Sequence, residues 1–294
     1  MKSLLFVPAD GGKKLDKAMA SGADAIIVDL EDSISAERKP AARAPMLEFL
    51  KGATTQANRP KILVRINDLT TPWADEDIDA AVQGKPDAIL QPKAEGGASV
   101  IHLDAKLTAR EAMHGVAPGS ISIYALATET AKAFFVAGTY GGSSRRLKGL
   151  TWGAEDLSAE LGASANRGAD GAWLPPYQMA RSLCLAGAAA AQIPALDTVY
   201  VDFKNEAGLR RECEEAKRDG FTGKLAIHPA QVAIINDVFS PNAAEIEHAR
   251  KVVAAFAAKP GAGTIGIDGK MYDRPHLARA NALLAQGGNV VGNG

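Results

Sequence analysis

The stretch Ala25-Ile26-Ile27-Val28-Asp29-Leu30-Glu31-Asp32 is a run of apolar residues that breaks into acids at its end. A short, continuously hydrophobic run suits a parallel strand buried on both faces, and the acids mark where the chain leaves the core. The same reading picks out seven more runs: Ser3–Val7, Lys61–Ile66, Ala88–Leu90, Ser122–Ala127, Gly149–Trp152, Asp197–Val201 and Lys224–Ile227. Between them lie stretches with apolar residues at helical spacing, such as Lys13–Ser21, Glu37–Leu50 and Leu209–Asp219, which stop at or near Gly22 and Gly220. Eight strand-helix alternations predict an α/β fold, a (β/α)₈ TIM barrel. An open doubly wound sheet is the competitor. It is disfavoured because the first run is followed by the pair Gly11-Gly12 and not by a G-x-G-x-x-G turn.

The pattern changes after Pro241. Asn242–Ala258 is Ala-rich and helix-like, Pro260–Gly269 is Gly-rich, and Lys270–Leu284 again reads as helix. The expected organisation is a barrel over 1–240, a C-terminal helical extension over 241–285 joined by the flexible Gly-rich run, and a poorly ordered tail over 286–294.

Composition narrows the function. A chain of 294 residues with 47% hydrophobic and 23% charged residues has the balance of a soluble globular protein. A formal net charge of -1 gives no footprint for nucleic acid or an anionic membrane. Two isolated cysteines, Cys184 and Cys213, fit a reducing compartment better than a disulfide framework. The apolar stretch before Pro8 is too short for a signal-peptide core, so the expected location is cytoplasmic.

Chemistry in such a barrel sits where strands end. The second strand ends in Asp29-Leu30-Glu31-Asp32, the third in Arg65-Ile66-Asn67 and the fourth in Pro92-Lys93. The fifth ends in Thr128-Glu129-Thr130, the sixth in Gly153-Ala154-Glu155-Asp156 and the eighth in His228-Pro229. Carboxylates gathered on one mouth call for a cation. Mg²⁺ commonly takes one or two carboxylates and leaves positions open for a bidentate ligand, and Glu129 and Asp156 on neighbouring strands meet that need. Arg65 has the planar fork to clamp a carboxylate. Local alternatives stay open: Asp32 and Asp156 as helix caps, Glu129 paired with Lys132, Arg65 neutralising Glu31 or Asp29, and His228 as a packed histidine.

These motifs carry a resemblance. Ser3-Leu4-Leu5-Phe6-Val7-Pro8, Asp29–Ser33, Val64–Asn67, Pro92-Lys93, Glu129-Thr130, Gly153–Leu157, Gly220–Lys224 and Ile227–Gln231 occur in family order, with the family's spacing between Glu129 and Asp156. The chain resembles the citrate lyase β-subunit-like family, relatives of malyl-CoA, citramalyl-CoA and citryl-CoA lyases, over nearly its whole length. The resemblance implies that Glu129 and Asp156 ligate Mg²⁺, that Arg65 and Glu129 contact substrate, and that a C-terminal aspartate is the acid/base. That aspartate is matched by Asp273 in Gly269–Pro275, on a C-terminal lid for which the Gly-rich run suits as a hinge, and is supplied in trans within a homotrimer; read locally, Asp273 is a helix N-cap. Lys2 stands where the family often has arginine, and Asn205 where it tends to have aspartate.

The resemblance implies a Mg-dependent lyase that cleaves or forms a short 3-hydroxyacyl-CoA, its partners being an acyl-CoA and a 2-oxoacid. The alternatives are a malyl-CoA-type thioesterase on the same site and a citryl lyase subunit working on an acyl-carrier partner. A Schiff-base aldolase through Lys93 is disfavoured, because a lysine among carboxylates stays protonated.

Overall fold

The structure, a computed structural model, describes residues 1–288. It divides into two compact units, Met1–Asn236 and a second from Asp237 onward.

The first unit is the barrel. Its strands are β1 (Ser3–Pro8), β2 (Ala25–Asp29), β3 (Lys61–Arg65), β4 (Ala88–Gln91), β5 (Ser122–Leu126), β6 (Leu147–Thr151), β7 (Leu196–Asp197) and β8 (Gly223–Ala226). All neighbours pair in parallel, in the order β6-β5-β4-β3-β2-β1-β8-β7. One parallel bridge, Leu150 to Ala195, completes the ring between β6 and β7. The helices are α1 (Lys13–Met19), α2 (Lys39–Ala53), α3 (Ala74–Gly84), α4 (Gly96–Met113), α5 (Ala131–Phe134), α6 (Ala154–Glu160), α7 (Pro175–Ala190), α8 (Glu206–Asp219) and α9 (Pro229–Phe239). The predicted (β/α)₈ TIM barrel is therefore the observed fold.

Burial explains why the apolar runs are continuous. All five residues of β2 are buried. Leu4, Ile27, Leu63, Leu90, Leu126, Leu196 and Leu225 meet in one cluster. Their strand neighbours Leu5, Ile26, Ile62 and Ile89 are buried too, as residues alternating between the two faces of a covered sheet must be. The seventh strand is shorter than predicted: the chain leaves the sheet after Asp197, and Thr198 and Val199 go on to line a cavity.

Register then fixes what meets at the mouth. Pro8 pairs with Asp29 and Asp29 with Arg65, so the last residues of β2 and β3 stand side by side. Both cysteines are free and buried. Among the described residues no helix is long and apolar enough to cross a membrane.

The second unit holds α10 (Ala243–Ala257), the hairpin β9 (Thr264–Ile267) and β10 (Lys270–Asp273), and α11 (Arg274–Gly288). Asn242 closes a capping box with Glu245 at the start of α10. Val252, Phe256, Ile265 and Ala280 share its core. Two expectations are corrected here. The Gly-rich run is not loop throughout, since it contains β9, and Lys270–Leu284 is not one helix, since it begins with β10. Asp268 and Gly269, at φ 51° and 76°, form a two-residue turn between antiparallel strands. An Asp-Gly pair is the local signal for such a hairpin, and the alternation Thr264–Ile267 was masked by its glycine neighbours. The expected tail over 286–294 lies, beyond Gly288, outside the described residues.

Candidate active site

Arg65 is the hub of the acids on β2. Its Nε and Nη2 donate to Asp29 Oδ1 and Oδ2 at 2.7 and 2.8 Å, a bidentate pair. Its Nη1 donates to Asp32 Oδ2 at 3.0 Å and lies 3.0 Å from Glu31 Oε2. The guanidinium also stands over the Phe6 ring, 4.8 Å from the centroid. Arg65 does neutralise its neighbours, as one local reading held, and it also lines the cavity described below. Asp29, despite burial, is held below the ordinary carboxylate range by the Arg65 charge and hydrogen bonds.

Lys93 organises the other side. Its backbone N–H donates to Glu129 Oε2 at 2.7 Å. Its Nζ donates to Glu31 Oε1 at 2.7 Å and pairs with Asp156 Oδ1 at 2.9 Å. Lys93 does this from the left-handed region, at φ 48°, which a non-glycine residue seldom adopts. Burial lowers its pKa, but Glu31, Asp156 and Glu129 more than offset that and hold the ammonium charged. That setting disfavours a nucleophilic amine at this position.

Glu129 lies three residues beyond β5 and is buried. Lys132 does not pair with it; that lysine pairs with Glu95, while Thr130 caps α5 by accepting from Ala133 N–H. Gly153 is required beside it, because a Cβ there would stand 2.6 Å from Glu129 Oε1. Asp156 is no helix cap. α6 starts at Ala154 with Gly153 in the cap position, which puts Asp156 on its first turn and frees its carboxylate for the mouth. Asp32 caps nothing either and goes to Arg65.

Five acids, Asp29, Glu31, Asp32, Glu129 and Asp156, thus face Arg65 and Lys93. Lys39 adds one more cation, but its ammonium is spent on the Leu30 and Glu31 carbonyls and on Asn67. The deficit shows in the titration of the buried members. Burial, then Glu31 and Asp156, push Glu129 up to about 8. Burial, opposed in part by Arg65, raises Glu31 to about 7. Two oxygen donors, Glu129 and Asp156, in a site short of positive charge fit a hard divalent cation.

A cavity of about 400 Å³ opens on these residues. Arg65, Glu129 and Asp156 share its lining with Phe6, Trp152 and Val199. Its size suits a small ligand. The Trp152 indole N–H donates to Asp197 Oδ1 at 2.8 Å, so a buried pair behind the wall fixes that ring. The sequence reading missed Lys93 as the connecting residue, since nothing in Pro92-Lys93 marks a left-handed lysine. It also missed Phe6 and Trp152 as walls.

The remaining candidates lie elsewhere. His228 is exposed; it stacks on Phe203 and its Nδ1 accepts from Ala230 N–H. Asn205 caps α8, accepting from Gly208 N–H at 2.9 Å. Asp273, in the second unit, caps α11: its Oδ1 accepts from His276 N–H at 3.4 Å and pairs with the His276 imidazole. That pairing holds its carboxyl below the ordinary range.

Comparison with known proteins supplies the family. Residues 2–229 match the HpcH/HpaI aldolase/citrate lyase family, and residues 180–290 match the C–C bond lyases of the TIM-barrel fold. The chain belongs to the HpcH/HpaI aldolase/citrate lyase family and is citrate lyase β-like. It is 37% identical over 290 residues to a (3S)-malyl-CoA thioesterase of Cereibacter sphaeroides, covering 97% of this chain and 94% of the relative. It is 33% identical over 287 residues to citrate lyase subunit beta of Escherichia coli, covering 97% and 92%. A crystal structure of CitE from Mycobacterium tuberculosis in complex with magnesium, acetoacetate and coenzyme A superposes with a TM-score of 0.78 at 32% identity, over 98% of both chains.

Proposed function

We propose that the protein is a Mg²⁺-dependent carbon–carbon lyase that cleaves, or in reverse forms, a short 3-hydroxyacyl-CoA such as malyl-, citramalyl- or citryl-CoA. The observation that carries this is the cavity on which Glu129, Asp156 and Arg65 converge within a cluster short of positive charge. Relatives solved with magnesium, an oxoacid and coenzyme A support it. Glu129 and Asp156 would hold the Mg²⁺, which would supply Lewis acidity toward a substrate oxygen.

The chain's own residues do the rest. Arg65 keeps one edge on Asp29 and turns its Nη1 edge from the exposed Asp32 carboxylate to that of the oxoacid portion. Phe6, Trp152 and Val199 keep the reacting end dry. The substrate hydroxyl gives up its proton to the Asp273 carboxylate, the bond between Cα and Cβ breaks, and its electron pair passes to Cα of the departing acyl-CoA. Asp273, supplied by a neighbouring subunit of a homotrimer, returns a proton to that carbon. In the condensing direction the same carboxylate removes it. Mixing Asp273→Asn with Glu129→Ala tests the trans assignment: activity regained in mixed oligomers is expected, and none would place both groups in one chain.

Incubating the protein with a panel of CoA thioesters and Mg²⁺, with free CoA and 2-oxoacid followed separately, tests the reaction. A lyase releases oxoacid without free thiol. Thiol without oxoacid would give the second reading, a (3S)-malyl-CoA-type thioesterase, which the 37% identity to such enzymes favours. Activity only with an acyl-carrier protein would mark a citryl lyase subunit. With both thiols free and buried, we assign the reaction to the cytoplasm.

A further inference from the structure

Lys93 reaches three acids of the mouth: Glu129 through its backbone, and Glu31 and Asp156 through its ammonium. Its left-handed backbone is strained for any side chain. Glycine would present the same N–H to Glu129 at that φ without strain, so the strain is tied to the side chain. That side chain places a fixed positive charge 2.9 Å from a carboxylate oxygen already assigned to a divalent cation.

We propose that Lys93 is a positioning residue that makes cation binding depend on substrate: its ammonium opposes a divalent cation at Asp156 until a substrate carboxylate enters. This rests on the reading of Glu129 and Asp156 as the metal pair. Two cations sharing one carboxylate repel, and charges a few ångströms apart in a half-buried site alter each other's binding by about tenfold or more. A carboxylate held by Arg65 in the cavity that Asp156 also lines brings a negative charge to the mouth and offsets that repulsion. Cation and oxoacid therefore strengthen each other's binding by one factor, seen from either side. The ammonium thus keeps the cation loosely held in the resting protein.

Electron paramagnetic resonance of free Mn²⁺, titrated into the full chain with and without pyruvate, reads this directly. Wild type is expected to bind Mn²⁺ about tenfold more tightly with pyruvate present. Lys93→Met and Lys93→Gly are expected to bind Mn²⁺ about tenfold more tightly than wild type without pyruvate, and to lose most of the pyruvate effect. Lys93→Gly keeps the N–H to Glu129 and relieves the backbone, and circular dichroism checks that both variants fold. A merely structural lysine would leave both variants with weaker Mn²⁺ binding. Unchanged or weakened binding in folded variants would overturn the inference while leaving the metal pair in place. If wild type binds no Mn²⁺ that Asp156→Asn abolishes, the metal reading falls and the inference falls with it.

Discussion

Two clusters of buried charge lie in the same barrel, and they are built on opposite plans. Behind β7 and β8, Asp197 and Lys224 pair at 2.7 Å, Lys224 and Glu212 at 2.8 Å, and Glu212 and Arg167 at 2.8 Å. Arg181 joins Asp197 to Asp219. Three acids meet three bases, and the pairing holds Asp197 below and Lys224 above their ordinary ranges despite burial. At the mouth five acids meet Arg65 and Lys93, and Glu129 and Glu31 are pushed up instead. A balanced cluster ties elements together. An unbalanced one has the charge to fit a cation, and it opens on the cavity walled by Phe6, Trp152 and Val199, whereas Arg167, Arg181, Glu212 and Asp219 line a separate cavity of about 770 Å³.

The largest expected effect breaks the unbalanced side. Glu129→Ala and Asp156→Ala should each lower turnover about 10³-fold or more, and chelator should do the same to wild type. Full, chelator-insensitive activity in both variants would remove the metal from the mouth. Lys224→Met breaks the balanced side by removing the buried ammonium that Asp197 and Glu212 share. It should cost about 3–5 kcal/mol in urea unfolding, as removal of one partner from a buried pair does. Loss of activity at unchanged stability would show that this cluster is not structural.

A pH series on chelated protein separates the two clusters in one measurement. Glu129 titrates near 8 when folded against an ordinary 4.5, so the folded state holds its proton more tightly. Stability is therefore fully present below about 4.5 and declines as pH rises to about 8, by about 2 to 4 kcal/mol. Glu129→Gln should lessen that decline, leaving the part that Glu31 contributes up to about 7, and saturating Mg²⁺ should reverse it. Asp197 contributes nothing in this window: its depressed carboxyl adds stability above 3.8 that is lost only in more acid solution. A flat profile for chelated wild type would refute the charge deficit. The smallest effect sharpens the role of Arg65. Arg65→Lys keeps the charge but loses the fork on Asp29, and should raise the substrate KM about 10- to 100-fold with a smaller change in kcat.

The barrel was legible because its strands are buried on both faces, which writes each one as a continuous apolar run. The site was legible in part because acids at strand ends have few structural excuses. Arg65, Glu129 and Asp156 were all found that way and do line one cavity. What the sequence hid was conformation. A lysine at φ 48° has no sequence signal, whereas the Asp268-Gly269 turn has one that the surrounding glycines obscured. The cap reading failed for Asp156 because the helix starts two residues earlier than the acid, and it held for Asp273, whose carboxylate receives the His276 N–H. The second task that the resemblance gives Asp273 would fall on a half-buried carboxylate at a helix start.

Trp152 belongs to both clusters, with its ring on the cavity and its N–H on Asp197, and it stands edge-on to Trp173 at 5.1 Å. An indole clamped in that way has a fixed orientation to the field of the mouth. A cation bound at Glu129, as proposed, would change that field. Trp152 would then serve as an optical gauge of occupancy. With Trp73 replaced by phenylalanine, the emission wavelength of the two remaining indoles would report filling of the mouth before any chemistry is assayed.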